Sequence, residues 1–74
     1  MVDTMLVMDY RMVDILNADQ LEIDDLIGFG EDIVKIISII PLNDGYSLKI
    51  ENEFGEKEIV EIKDDEQFEL YILS

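Results

Sequence analysis

The stretch Ile33-Val34-Lys35-Ile36-Ile37-Ser38-Ile39-Ile40 runs into Pro41-Leu42-Asn43-Asp44-Gly45 and leaves it as Tyr46-Ser47-Leu48-Lys49-Ile50-Glu51. In the second arm Tyr46, Leu48 and Ile50 share one face while Ser47, Lys49 and Glu51 share the other. That period of two marks a half-buried strand. Between the arms, Asn43-Asp44-Gly45 reads as a hairpin loop in which glycine takes positive φ. The first arm puts isoleucine or valine on both faces. A strand buried on two sides fits this composition, as does a long strand that bends across a barrel corner. A buried helix is the rival, and Pro41 with the β-branched run argues against it. The bending strand is the preferred reading.

Working outward, Glu53-Phe54-Gly55-Glu56 links the second arm to residues 57–62 at hairpin distance, giving three hairpin-linked strands in a row. Phe68, Leu70 and Ile72 alternate with Gln67, Glu69 and Tyr71 in a closing strand. Further turn signals stand at Asn17-Ala18-Asp19, Gly28-Phe29-Gly30 and Lys63-Asp64-Asp65-Glu66. Turns every 8–12 residues or so mark an antiparallel sandwich or barrel. The N-terminus admits two readings. Met1, Met5, Met8, Met12 and Ile15 recur at helical spacing, whereas Val13 and Ile15 flank Asp14 in strand alternation. Residues 1–11 are accordingly set apart as an extension, either a helical or disordered leader or part of an ordered first strand. Residues 12–74 form the single domain.

Composition supports a β-rich globule. Apolar residues make up 49% of the 74, with 12 Ile and 5 Val against the lone Ala18, a mix that favours strands over helices. Cysteine and histidine are absent, so disulfides, zinc fingers, His-containing metal sites and every His- or Cys-based triad are excluded. Nineteen acids against five bases give a net charge of −14. Arg11, Lys35, Lys49, Lys57 and Lys63 are scattered rather than clustered. Affinity for DNA comes chiefly from clustered bases that displace counterions, so direct nucleic-acid binding is not expected. An anionic membrane surface is disfavoured for the same reason. No apolar run approaches the ~20 residues of a membrane span, and no basic flank opens a secretory signal. The cytoplasm is the expected location.

From Asn17 the chain reads Asn17-Ala18-Asp19-Gln20-Leu21-Glu22-Ile23-Asp24-Asp25-Leu26-Ile27, then the isoleucine strand, the Asp44-Gly45-Tyr46 turn and the Phe54-Gly55-Glu56 turn. This order resembles the short uncharacterised proteins of tailed phages, marine cyanophages among them, over about residues 12–74. The resemblance implies a small closed β-barrel, SH3-like in size, and a host-cell cytoplasmic setting; it assigns no function. A weaker likeness is to the opening of self-splicing Hint domains, where Leu-x-x-Gly-Asp-x-Ile precedes similar strands. Asp24 stands where that family has glycine, and the family's histidine and nucleophile have no counterpart, so splicing is not implied.

Candidate chemistry is thin. Gly28-Phe29-Gly30 lacks the third glycine and following lysine of a phosphate loop, and a plain turn explains it better. Asp64-Asp65-Glu66 with Glu69 comes nearest to an oxygen-ligand cation site, although adjacent acids on a turn are ordinarily just solvated. Paired carboxylates for hydrolysis need a cleft that a chain this short rarely encloses. No cofactor is expected and the reading is non-enzymatic. Tyr71 and Leu73 share the face opposite Phe68, Leu70 and Ile72, which makes them candidates for a contact with a protein partner or a second copy. The acids Glu51, Glu53, Glu56, Glu58 and Glu61 run along one hairpin, where carboxylates could imitate phosphates before a basic protein; Lys49 and Lys57 interrupt them.

The sequence therefore predicts an all-β fold, a small antiparallel barrel or twisted meander of five or six strands. Its core would draw on Leu21, Leu26, Ile36, Ile39, Tyr46, Leu48, Ile50, Val60, Ile62, Phe68, Leu70 and Ile72. Its expected role is that of an accessory or interaction protein acting through its surface. The alternative is a DNA-mimicking inhibitor of a basic nucleic-acid-binding protein.

Overall fold

The fold is that of a computed structural model describing residues 9–73. Six strands follow one another: β1 (Tyr10–Asn17), β2 (Leu26–Phe29), β3 (Asp32–Pro41), β4 (Gly45–Glu51), β5 (Lys57–Lys63) and β6 (Gln67–Leu73). A 3₁₀ turn (Ala18–Gln20) follows β1. All pairings are antiparallel, in one sheet of order β1-β6-β2-β3-β4-β5. The outer strands β1 and β5 do not pair, so the sheet stays open as a twisted meander. This corrects the expectation of a closed, SH3-like barrel: the ladder that would seal it, β1 on β5, is missing. Met12 and Ile15 lie on strand β1. Most of the proposed leader, residues 1–8, lies outside the described residues.

β3 explains the isoleucines on both faces. Its first half pairs with β2 and its second half with β4, and the β4 register shifts between Ile36 and Ser38. Ile37 is the extra residue of a β-bulge, which bends a strand and moves its side chains out of phase. Before the bulge the even positions Val34 and Ile36 point inward, at 4% and 0% exposure. After it the odd position Ile39 packs on the core while Ile40 stands 56% exposed. The strand does bend, as expected, without closing a barrel.

Topology forces the sheet to curl. β6 and β5 stand four places apart in the sheet, which on a flat surface is about 19 Å at ~4.8 Å per strand. Yet a turn joins them in which the Glu66 N–H donates to the Lys63 carbonyl at 3.2 Å, and such a turn brings its ends within about 7 Å. Two further bonds fasten this end of the roll: Ala18 N–H to the Glu66 carbonyl, 3.0 Å, and Asp64 N–H to the Asp44 carbonyl, 3.1 Å.

Inside the curl the buried residues are Ala18, Leu21, Ile27, Val34, Ile36, Leu48, Ile50, Ile62 and Phe68. Ile39, Tyr46, Val60 and Leu70 pack against them from the margins. Two expected core residues fall elsewhere. In β2 it is Ile27 that faces Val34 and Leu70, so alternation turns Leu26 to the outer face. Ile72 lies opposite Arg11 beyond the core and is 39% exposed. The expected role of Gly45 also changes. Its φ is not positive; glycine is needed because a Cβ there would overlap the Ile62 carbonyl oxygen and lie 2.9 Å from the Lys63 Cα.

Candidate interaction surface

The outer face of the sheet is divided by composition. One row crosses all six strands, with Met12 opposite Tyr71, Tyr71 opposite Leu26, then Lys35, Glu51 and Lys57 in turn. Its β1–β6–β2 end is apolar and its β3–β4–β5 end is charged. Neighbouring positions extend the apolar part: Tyr10 opposite Leu73, and Ile15 one step along β1. Met12 is 46%, Ile15 53% and Leu73 51% exposed. Where the two parts meet, Tyr10, Leu26 and Ile33 border Lys35, Glu51 and Glu53 around a shallow groove of about 180 Å³.

Tyr71 is the centre of the apolar part. Its ring lies over Gly28, where a Cβ would come within 3.3 Å of the Tyr71 Cε1, so glycine makes room for an aromatic on the adjacent strand. The phenol donates to the Glu69 Oε1 at 2.7 Å. That bond requires the neutral phenol; together with burial and the adjacent carboxylate charge it holds the Tyr71 pKa above the ordinary tyrosine value. Gly30, in contrast, serves the backbone: at φ 64° it opens the two-residue β2–β3 hairpin loop, whereas Gly28 and Phe29, expected to belong to the same turn, are the last two residues of β2.

The five hairpin glutamates are separated by the pleat. Glu51 lies on the outer face with its Oε2 3.6 Å from the Lys57 Nζ. Glu61 is on the same face, opposite Ser47. Glu58 pairs with Ile50 and therefore belongs to the inner face. Glu53 and Glu56 sit in the turn between β4 and β5, which Asn52 organises. Its Oδ1 accepts from the Phe54 and Glu56 N–H groups at 2.9 and 3.0 Å, and its Nδ2 donates to the Glu56 Oε1 at 2.9 Å. Tyr71 and Leu73 thus come together on one face, while the glutamates do not form one row. Asp64, Asp65 and Glu66 occupy the β5–β6 turn, away from Glu69 on the outer face; among the described residues no three acidic side chains converge as a metal-ligand set.

On the inner side, the mouth of the roll holds a hollow of about 370 Å³ with Val34, Ile50 and Phe29 lining its apolar part and Asp32, Glu56 and Glu58 among its polar neighbours. Phe29 stacks on Phe68 with ring centroids 6.4 Å apart. No described helix is long and apolar enough to cross a membrane.

Comparison with protein-family models, curated proteins and solved structures finds no match to this chain. With the sheet open and no phage or SH3 relative found, the description as a phage-type SH3-like barrel protein is corrected to an open six-stranded meander.

Three apolar outer-face residues, Tyr10, Leu26 and Ile33, were not legible as a group in the sequence. They come from three strands, and only the register joins them to Tyr71 and Leu73. The one local signal, alternation along β1, is broken by a bulge between Met12 and Asp14.

Proposed function

We propose that this chain is a non-enzymatic interaction module that binds a basic protein through the outer face of β1, β6 and β2. The observation behind this reading is the run Met12, Tyr71 and Leu26, continued by Ile15 and Leu73, on the surface of a chain carrying −14 charge. Adjoining exposed apolar side chains lose water contact favourably when a partner covers them, which is why such patches mark interaction sites. The surrounding charge then selects: it repels polyanions and acidic surfaces and steers basic ones inward.

A second reading uses the same charge differently. Glu53, Glu56 and Glu58 stand exposed along the β4–β5 hairpin, and carboxylates there would meet the nucleic-acid groove of a basic protein as a phosphate mimic. The two readings are told apart by replacing each surface in turn. Affinity capture with the Met12→Ser/Leu73→Ser variant should lose the basic partners retained by the original chain, with Glu53→Gln/Glu56→Gln/Glu58→Gln losing few. The reverse pattern supports mimicry, and capture of no basic protein by any variant overturns both.

A further inference from the structure

Strand β5 differs from every other part of this surface. It has β4 on one side and no strand on the other among the described residues. Its ladder to β4 is regular over all seven pairs, from Gly45↔Lys63 to Glu51↔Lys57, without a shift, and it contains no proline. The opposite edge, β1, is interrupted by the bulge at Val13. Straight, unprotected edges are templates for another strand, and natural proteins usually blunt them. β5 is blunted only by its charges, and these cancel: Lys57 and Lys63 balance Glu58 and Glu61. On a chain of net −14, this strand is a place where a second copy meets little local repulsion.

The same strand is complementary to itself. Its outer face reads Lys57, Ile59, Glu61, Lys63, and Ile59 is 70% exposed. Set two β5 strands antiparallel about a two-fold axis at Ile59, both outer faces on one side. Lys57 then faces the partner's Glu61, Glu61 faces the partner's Lys57, and Ile59 faces the partner's Ile59. Opposite charges directly across a ladder stabilise it, and like charges do the reverse. Shifting the axis to Val60 sets Lys57 against the partner's Lys63. Moving it to Glu58 or Glu61 sets a glutamate against its own copy. An axis at Ile62 would also set Glu61 against the partner's Lys63, but Ile62 is buried and that register overlaps the two strands only over residues 61–63. Only the register centred on Ile59 joins an exposed apolar centre to two opposite-charge pairs.

We propose that β5 is the seam of a two-fold symmetric dimer, in which two six-stranded sheets join edge to edge with Ile59 on the axis. Such an isologous contact closes on itself and stops at two copies. It leaves β1, β6 and β2 uncovered, so it stands independently of the reading given above.

Sedimentation velocity at ~0.15 M NaCl, where the Debye length is about 8 Å, provides the test, with circular dichroism confirming that each variant folds. The original chain should dimerise with rising concentration. Glu61→Lys and Lys57→Glu should each weaken the dimer at least tenfold by creating like-charge pairs across the seam. The double exchange Lys57→Glu/Glu61→Lys should return it to within about threefold of the original, because the two pairs re-form with polarity reversed. Since the chain has no cysteine, Ile59→Cys should form a disulfide-linked dimer on oxidation, whereas Ile23→Cys, also well exposed at 57% but off the seam, should not. A monomer at all concentrations, a double exchange as weak as the single ones, or equal cross-linking at both positions would overturn the proposal.

Discussion

Asp24 is the one described residue other than glycine with positive φ, at 78°. The Asp25 N–H donates to the Glu22 carbonyl at 3.2 Å, which places Asp24 third in a tight turn, where a type II turn calls for glycine or asparagine. Its own N–H donates to the Ile36 carbonyl at 2.8 Å, so the turn is fixed to β3 and cannot relax. Asp24→Gly should stabilise the fold by about 0.5 kcal/mol, the left-handed penalty relieved exceeding the chain entropy added. Asp24→Val should lose about 1 kcal/mol or more, and urea midpoints of the two variants check the sign. Gly45 is the contrasting case, since space and not φ dictates it. Gly45→Ala drives a methyl group into the Ile62–Lys63 backbone, and strands already paired leave nowhere to move. A loss of about 2–3 kcal/mol in the same urea measurement is expected; a loss under ~0.5 kcal/mol would show that β4 and β5 can part there.

Among the elements, β3 decides the shape because its bulge lets one strand serve both halves of the curl. Deleting Ile37 removes the extra residue and restores strict alternation. Ser38 and Ile40 then keep the outer face and Ile39 the inner one, so the pairings with β2 and β4 both survive and only the local bend and added twist of the bulge are lost. Deletion should therefore leave a cooperative thermal transition, at a midpoint lower than that of Ile37→Ala, which keeps the bulge; loss of cooperativity would show that the bend itself holds the two halves of the curl together. The same feature explains what could be read beforehand. β4 and β6 alternate without interruption, and their inward residues Leu48, Ile50 and Phe68 were found in place. β1 and β3 each contain a register shift, and there the sequence left rival readings open. Val34 and Ile27 escaped because inward direction in a short or bulged strand is set by its neighbours, not by its own period. The outer surface was half legible: Tyr71 and Leu73 stand on one strand, while Tyr10, Leu26 and Ile33 join them only through pairing across the sheet. Closure was the property least available, since whether β1 meets β5 depends on accumulated curl that no local pattern encodes.

For the whole molecule, charge is the dominant fact. Nineteen acids oppose five bases, and the ion pair at the β4–β5 hairpin, Lys57 with Glu51 at 3.6 Å, is an exposed one of the kind worth about 0–1 kcal/mol. Folding brings the remaining carboxylates closer together than in the extended chain, so their mutual repulsion opposes the compact state. At ~0.01 M salt the Debye length is about 30 Å, longer than most separations in a domain this size; at ~0.15 M it falls to about 8 Å. Added NaCl should therefore relieve many unfavourable pairs while weakening few favourable ones, and the net effect is stabilising. Each 1 kcal/mol gained shifts the melting temperature of a 60–100-residue domain by about 4–8 °C. Circular dichroism melts at low micromolar concentration should show the midpoint rising by several degrees between ~0.01 and ~0.15 M NaCl, then levelling off once the screening length is shorter than the spacing of surface acids. A midpoint that stays flat or falls would mean that the carboxylates are already neutralised by contacts within the fold. The same melts on Glu58→Gln, which removes one charge where the roll opens, should start higher at low salt and converge with the original chain at high salt, because screening and neutralisation remove the same repulsion.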